Sequence, residues 1–249
     1  MKKLFLTIYM TFTAAAMLWC AAPTQHKHPD MELIKAESTN PQSPYHYEKL
    51  RKKFLANDTT MTADEYRYFY YGTMFQEDYN PYRANPWQDE LNKTMTPIYY
   101  KTEYITRSDL RQIEDFAVKS LDNNPLDLRQ IMYLAYNYEK SGKDNKAAIW
   151  RAKLRNILLT ISASGTGEDP EHAWVVVYPS HEFDYFNISG LSVEDRDFVP
   201  PYYEKVTVTT PKKSTKAADD SKEPKTATYY FDLHHLLEQY YAKHPEENK

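Results

Sequence analysis

At Ser162 the hydrophobic period of the chain changes, and this limits the folds open to it more than any other feature. Before that point apolar residues recur three and four apart, as on one face of a helix; after it they run together or alternate, as in strands. Tyr47, Leu50 and Phe54 mark a first helix over residues 45–57. Thr62-Ala-Asp-Glu65 is a capping box, the threonine oxygen and the glutamate taking up free backbone donors. The helix it opens is expected to reach about Gln76 and to pair with the first as an antiparallel hairpin. Pro81, Pro86 and Pro97 each remove a backbone donor and make residues 78–97 loop-like. Ser108 is expected to cap a helix with Leu110, Ile113, Ala117 and Leu121 inward. Asn124-Pro125 reads as the N-cap and first residue of the next, which buries Leu128, Ile131, Leu134, Ala135 and Tyr138. Gly142 ends it, and Asp144 opens a helix lasting to about Ile161.

Ser164-Gly-Thr-Gly167 reads as a flexible turn. Ala173–Tyr178, continuous in β-branched and aromatic residues, predicts a buried strand. Residues 182–187 predict a short element, residues 202–209 and 226–232 two more strands, and Leu233–Lys243 a closing helix. The expected class is α+β: helical hairpins over residues 45–161, then a small antiparallel sheet with a C-terminal helix over residues 162–249. Residues 23–44 are polar and read as a flexible leader. Residues 211–225, made of Lys, Ser, Ala, Asp and Pro, read as a disordered loop.

The N-terminus indicates export. Lys2 and Lys3, the uncharged run Leu4–Leu18 and the small residues Ala21 and Ala22 have the order of a secretory signal peptide, residues 1–22. The run is about 15 residues, short of the roughly 20 that cross a bilayer, and no later run spans one. Cys20 is the only cysteine. Lipid attachment there needs a small preceding residue, and Trp19 is bulky, so a periplasmic or secreted protein is favoured over a lipoprotein. Without Cys20 the mature chain has no disulfide and no cysteine metal site, and packing must supply its stability. A net charge of −4 with no basic stripe argues against nucleic acid as a partner. Tyrosine is abundant, 23 residues against 5 glycines, and suits half-buried helix faces and binding surfaces alike.

Residues 124–161 resemble a tetratricopeptide repeat, a helix-turn-helix of about 34 residues. The match lies at Ile131, Leu134, Ala135, Tyr138, the turn glycine Gly142 and the small Ala147; Arg151 and Leu154 depart from it. Ile113, Ala117, Ser120 and Pro125 resemble a second half-repeat, whose partner helix Pro97 interrupts. Across most of the chain, the order of features resembles a secreted Bacteroidetes family classified as domain of unknown function 4919. The residues that carry this are Tyr47-Glu-Lys-Leu50, Tyr70-Tyr-Gly72, Tyr79-Asn-Pro-Tyr82, Asn124-Pro-Leu-Asp127, Ser164-Gly-Thr-Gly167, Ala173-Trp-Val-Val176 and Tyr230-Phe-Asp232. The resemblance implies an architecture and a compartment, and transfers no catalytic residue.

Two groups of residues are candidates for function. His172, His181, Glu182 and Asp184 crowd near the first strand, and imidazole and carboxylate are the usual metal ligands and proton carriers. No two of these histidines have the i, i+4 spacing of a zinc protease, so a polar rim around strand ends competes with an acid–base site. Ser162-Ala-Ser164 lacks the glycine that precedes a serine nucleophile elbow. Tyr66, Tyr68, Phe69, Tyr70, Tyr71 and Phe75 surround one helix. Either that helix is buried between two layers, or Tyr66, Tyr70, Tyr71, Phe75 and Tyr79 line a groove for a peptide or glycan. No catalytic residue, cofactor or metal ligand is assigned. Two classes stay open: a noncatalytic interaction or scaffolding protein whose partner is an envelope protein or peptide, with a glycan as the alternative ligand, and an envelope hydrolase with a His/carboxylate site.

Overall fold

The computed structural model describes residues 26–90, 93, 106–210 and 225–247. The signal segment, Cys20, Pro97 and all but the last residue of loop 211–225 lie outside them. In chain order the elements are α1 (Met31–Thr39), α2 (Tyr47–Leu55), α3 (Ala63–Gly72), α4 (Arg107–Asn123), α5 (Leu128–Lys140), α6 (Asp144–Ser162), β1 (Trp174–Val175), α7 (Ser180–Ile188), β2 (Ser192–Val199), β3 (Tyr203–Thr209), β4 (Thr226–Asp232) and α8 (His234–Lys243). The class is α+β, with most helices first and the sheet and a terminal helix after them. Two compact units divide the described residues, one of residues 83–154 and one of residues 26–82 with 155–247, a different line from a boundary at residue 161.

In the first unit α4 and α5 pack as a hairpin. The α4 cap is Thr106 and not Ser108: its hydroxyl accepts from the Asp109 N–H, and Asp109 accepts from the Thr106 N–H. That reciprocal pair satisfies two end donors that Ser108, already inside the first turn, cannot reach. Asn124 ends α4 and does not start α5. Its side chain accepts from Leu126 N–H, and Asp127 takes over as N-cap by accepting from Gln130 N–H. The buried stripe of Ile113, Ala117 and Leu121 belongs to α4, that of Leu128, Ile131, Leu134 and Ala135 to α5. Gly142 follows α5 at φ +69°, a left-handed turn that glycine enters without a Cβ clash.

In the second unit Met31–Thr39, within the stretch expected to be a flexible leader, fold as α1. Asp30 caps it, and Met31, Ile34 and Ser38 are buried. Its apolar stripe is too sparse to read as helix, because small residues do the packing. A Cβ on Gly72 of α3 would sit 2.8 Å from the Ser38 Cβ, so the two backbones approach closely there. Helices α2 and α3 form the expected hairpin through rings, Tyr47 and Phe54 lying 5.5 and 5.0 Å from Phe69. The Thr62–Glu65 capping box is present.

The sheet order is β1-β4-β3-β2. Strands β2, β3 and β4 are antiparallel, but β1 adds parallel to β4, so the sheet is mixed where a purely antiparallel one was expected. Strand β2 has no counterpart in the sequence pattern: an edge strand with mostly exposed residues needs no apolar alternation. Residues 182–187 belong to helix α7. The Ser164–Gly167 turn is structural. Trp174 donates its indole N–H to Gly165 O at 3.0 Å, and Tyr230 N–H donates to Gly167 O at 2.8 Å. A Cβ on Gly167, at φ +75°, would lie 2.8 Å from the Trp174 ring. Trp174 in turn packs on Tyr185, Tyr229 and Phe231.

Candidate functional site

Helix α7 presents two consecutive buried polar residues, turned about 100° apart by the helix. His181 is 1 % exposed, and its Nδ1 lies 2.8 Å from the Tyr70 hydroxyl. The Val177 N–H donates to that hydroxyl, and Tyr79 donates to Val177 O at 2.6 Å. Tyr71 donates to Thr160 O at 3.2 Å. These bonds explain the tyrosines. A phenol can enter a core when a carbonyl or imidazole meets its hydroxyl. Tyr66, Tyr70, Tyr71 and Tyr79 are accordingly buried and Phe75 is half-buried, so they line no open groove. Burial first, and the neighbouring Tyr71 second, hold the Tyr70 phenol well above its ordinary range.

Glu182 has a different environment. It is 0 % exposed, and among the described residues neither carboxyl oxygen has a hydrogen-bond partner. The Arg196 guanidinium on β2 lies 3.5 Å away but bonds Glu204 of β3, Nη2 at 2.8 Å and Nε at 2.9 Å. Burial, then the Glu204 charge, push Glu182 up to about 8, with Arg196 opposing. At neutral pH the group is therefore largely a protonated acid.

The expected polar cluster does not converge. His172 sits exposed on the Pro170–His172 turn, 2.8 Å from Asp169, whose carboxyl it holds below the usual range by hydrogen bonding. His181 turns to Tyr70 and Glu182 to Arg196, while Asp184 is buried farther along α7.

Exposed aromatic residues collect around Glu182, Arg196 and Glu204. Phe198 is 55 % exposed and stands opposite Glu204 in the β2–β3 register, on the same sheet face. Phe183, 36 % exposed, lies under the Arg196 guanidinium at 5.4 Å. Tyr82, 52 % exposed, packs edge-on against Tyr240 at 4.8 Å. Burial raises its phenol most, with Tyr241 and the charges of Glu182 and Glu204 adding to it. Phe183 and Phe198 do not stand out in sequence, and Tyr82 does so only as the end of the segment Tyr79-Asn-Pro-Tyr82. Only the strand register shows that Phe198, inside an acidic run, shares a face with Arg196.

Residues 32–242 match the family described as Domain of unknown function (DUF4919). The chain belongs to that family. No curated protein and no solved structure matches it. The DUF4919 region takes in every residue named above around Glu182. Among the described residues, the one group of three ligating side chains that converges is His244, Glu246 and Glu247, just past the DUF4919 match. Glu247 there accepts from the Tyr240 hydroxyl at 2.6 Å. No helix among the described residues is long and apolar enough to cross a membrane.

Proposed function

We propose that this chain is an exported, noncatalytic interaction protein that holds an envelope protein or peptide against Tyr82, Phe183 and Phe198. The observation that carries this reading is the exposure of these three aromatic residues around a partly buried arginine. Aromatic residues and arginine supply most binding energy where proteins meet, and large exposed rings are otherwise disfavoured on a surface. Export rests on the order of charge, apolar run and small residues over residues 1–22. The tetratricopeptide-like spacing of residues 124–161, over α5 and α6, supports a helical surface suited to scaffolding.

A hydrolase keeps one supporting observation, the buried acid Glu182, whose raised pKa suits a proton donor. The two histidines expected beside it are engaged elsewhere, His181 with Tyr70 and His172 with Asp169.

Capture from envelope extracts tests the proposal. The wild-type chain should retain a defined protein that Phe198→Ala and Phe183→Ala both lose, with thermal stability unchanged. Equal capture by the variants, or a captured species destroyed by glycosidase and not by protease, would contradict it. The mass of the mature N-terminus tests export: a chain retaining residues 1–22, or a lipid on Cys20, would overturn that part.

A further inference from the structure

The outer edge of β2 offers a second mode of contact. Strand β2 pairs with β3 on one side, and among the described residues no strand pairs with its other side. An edge strand of 8 residues presents a row of unpaired N–H and C=O groups, which a further strand can bond.

The side chains along this edge are sorted by face. Asp195 stands opposite Thr207, Asp197 opposite Lys205, and Glu194 accepts from the Thr209 hydroxyl at 2.6 Å. The register irregularity between Val193 and Asp195 is what brings Glu194 to the same side as its neighbour. Three acids thus share one face with a single lysine, Lys205, which pairs with Asp197 at 3.0 Å. The other face carries Arg196, already bonded to Glu204, and the exposed ring of Phe198. One edge is therefore acidic above and aromatic below.

We infer that this edge takes up a basic, extended segment of the partner as an added strand, with Lys or Arg alternating with apolar residues. This rests on the binding reading above and names the partner chemistry for it. Side chains of a strand alternate between faces, so a Lys/apolar alternation puts cations against Glu194, Asp195 and Asp197 and apolar groups beside Phe198. The same acids disfavour a second copy of β2, because self-pairing sets carboxylate against carboxylate. Attraction of a basic strand and rejection of its own kind come from one set of residues.

The test is fluorescence anisotropy of the full chain with labelled eight-residue peptides. An alternating Lys-Val peptide should bind at least about tenfold tighter than a Glu-Val peptide, and than a block peptide of four lysines followed by four valines, with affinity falling as salt rises. The double substitution D195K/D197K should cost about tenfold, and N-methylation of alternate peptide amides should abolish binding. Equal affinity for all three peptides, insensitivity to N-methylation, or full binding by D195K/D197K would overturn the inference. If the Lys-Val peptide fails to bind while envelope capture still depends on Phe198, the strand addition is wrong and the aromatic surface stands. If the peptide binds and no envelope partner is captured, the edge stands and the broader reading falls.

Discussion

The unit of residues 26–82 and 155–247 holds two aromatic regions with opposite fates. Around α3 the rings of Tyr66, Phe69, Tyr70 and Tyr71 are almost wholly buried, and the Tyr70 and Tyr71 hydroxyls end on an imidazole and a carbonyl. Around Arg196 the rings of Tyr82, Phe183 and Phe198 stay open to solvent. Ring content does not separate the two regions. Supply of partners does: the first is enclosed by helices and by backbone acceptors such as Val177 O, and the second lies along a sheet edge. The first therefore holds the fold, and the second is free to meet something else.

The same contrast separates neighbours in α7. His181 has its partner in Tyr70, whereas both oxygens of Glu182 are buried without a hydrogen bond among the described residues. A buried polar group that is met stabilises; one that is not met makes stability depend on its protonation.

The comparison can be broken at several points. The largest effect belongs to Phe69→Ala, which empties a 0 % exposed site between Tyr47 and Phe54. It should cost about 3–5 kcal/mol in urea denaturation. A loss below about 1 kcal/mol would mean the tyrosine layer is not the core.

Next comes Glu182. Its folded pKa of about 8 exceeds the ordinary 4.5, so the folded state holds the proton more tightly than the unfolded one. Stability from this group is complete below pH 4.5 and is lost as pH rises to about 8, by as much as about 4 kcal/mol. Glu182→Gln should flatten that decline and be the more stable chain above pH 8. Parallel pH curves for the two chains would show that Glu182 is neither buried nor proton-linked as described.

A smaller effect is expected of Tyr70→Phe, which removes the hydroxyl shared by His181 and the Val177 N–H and should cost about 1–3 kcal/mol.

Much of the fold was legible in sequence where a local rule decides it. The Thr62 capping box, the α2–α3 stripe, Gly142 and strand β4 follow from caps, periodicity and backbone permission. Helix α1 was not legible, because Ser38 packs by being small against Gly72 and carries no apolar signal. Strand β2 was not, because its place at the sheet edge leaves Glu194, Asp195 and Asp197 in solvent. The candidate site was legible only in part. Glu182 was singled out for its residue type, but its true neighbours, Arg196 and Glu204, lie on strands whose register no local pattern fixes. The tyrosines were conspicuous by number, and number alone does not tell a core phenol from a surface one.

The most direct test sets one residue from each aromatic region side by side, measuring stability and partner capture per folded molecule for Tyr70→Phe and Phe198→Ala. Tyr70→Phe should lose stability and keep capture; Phe198→Ala should stay within about 0.5 kcal/mol of the wild type and lose capture. The reverse pattern, or capture lost equally in both, would contradict the division between a core that holds the fold and a surface that binds.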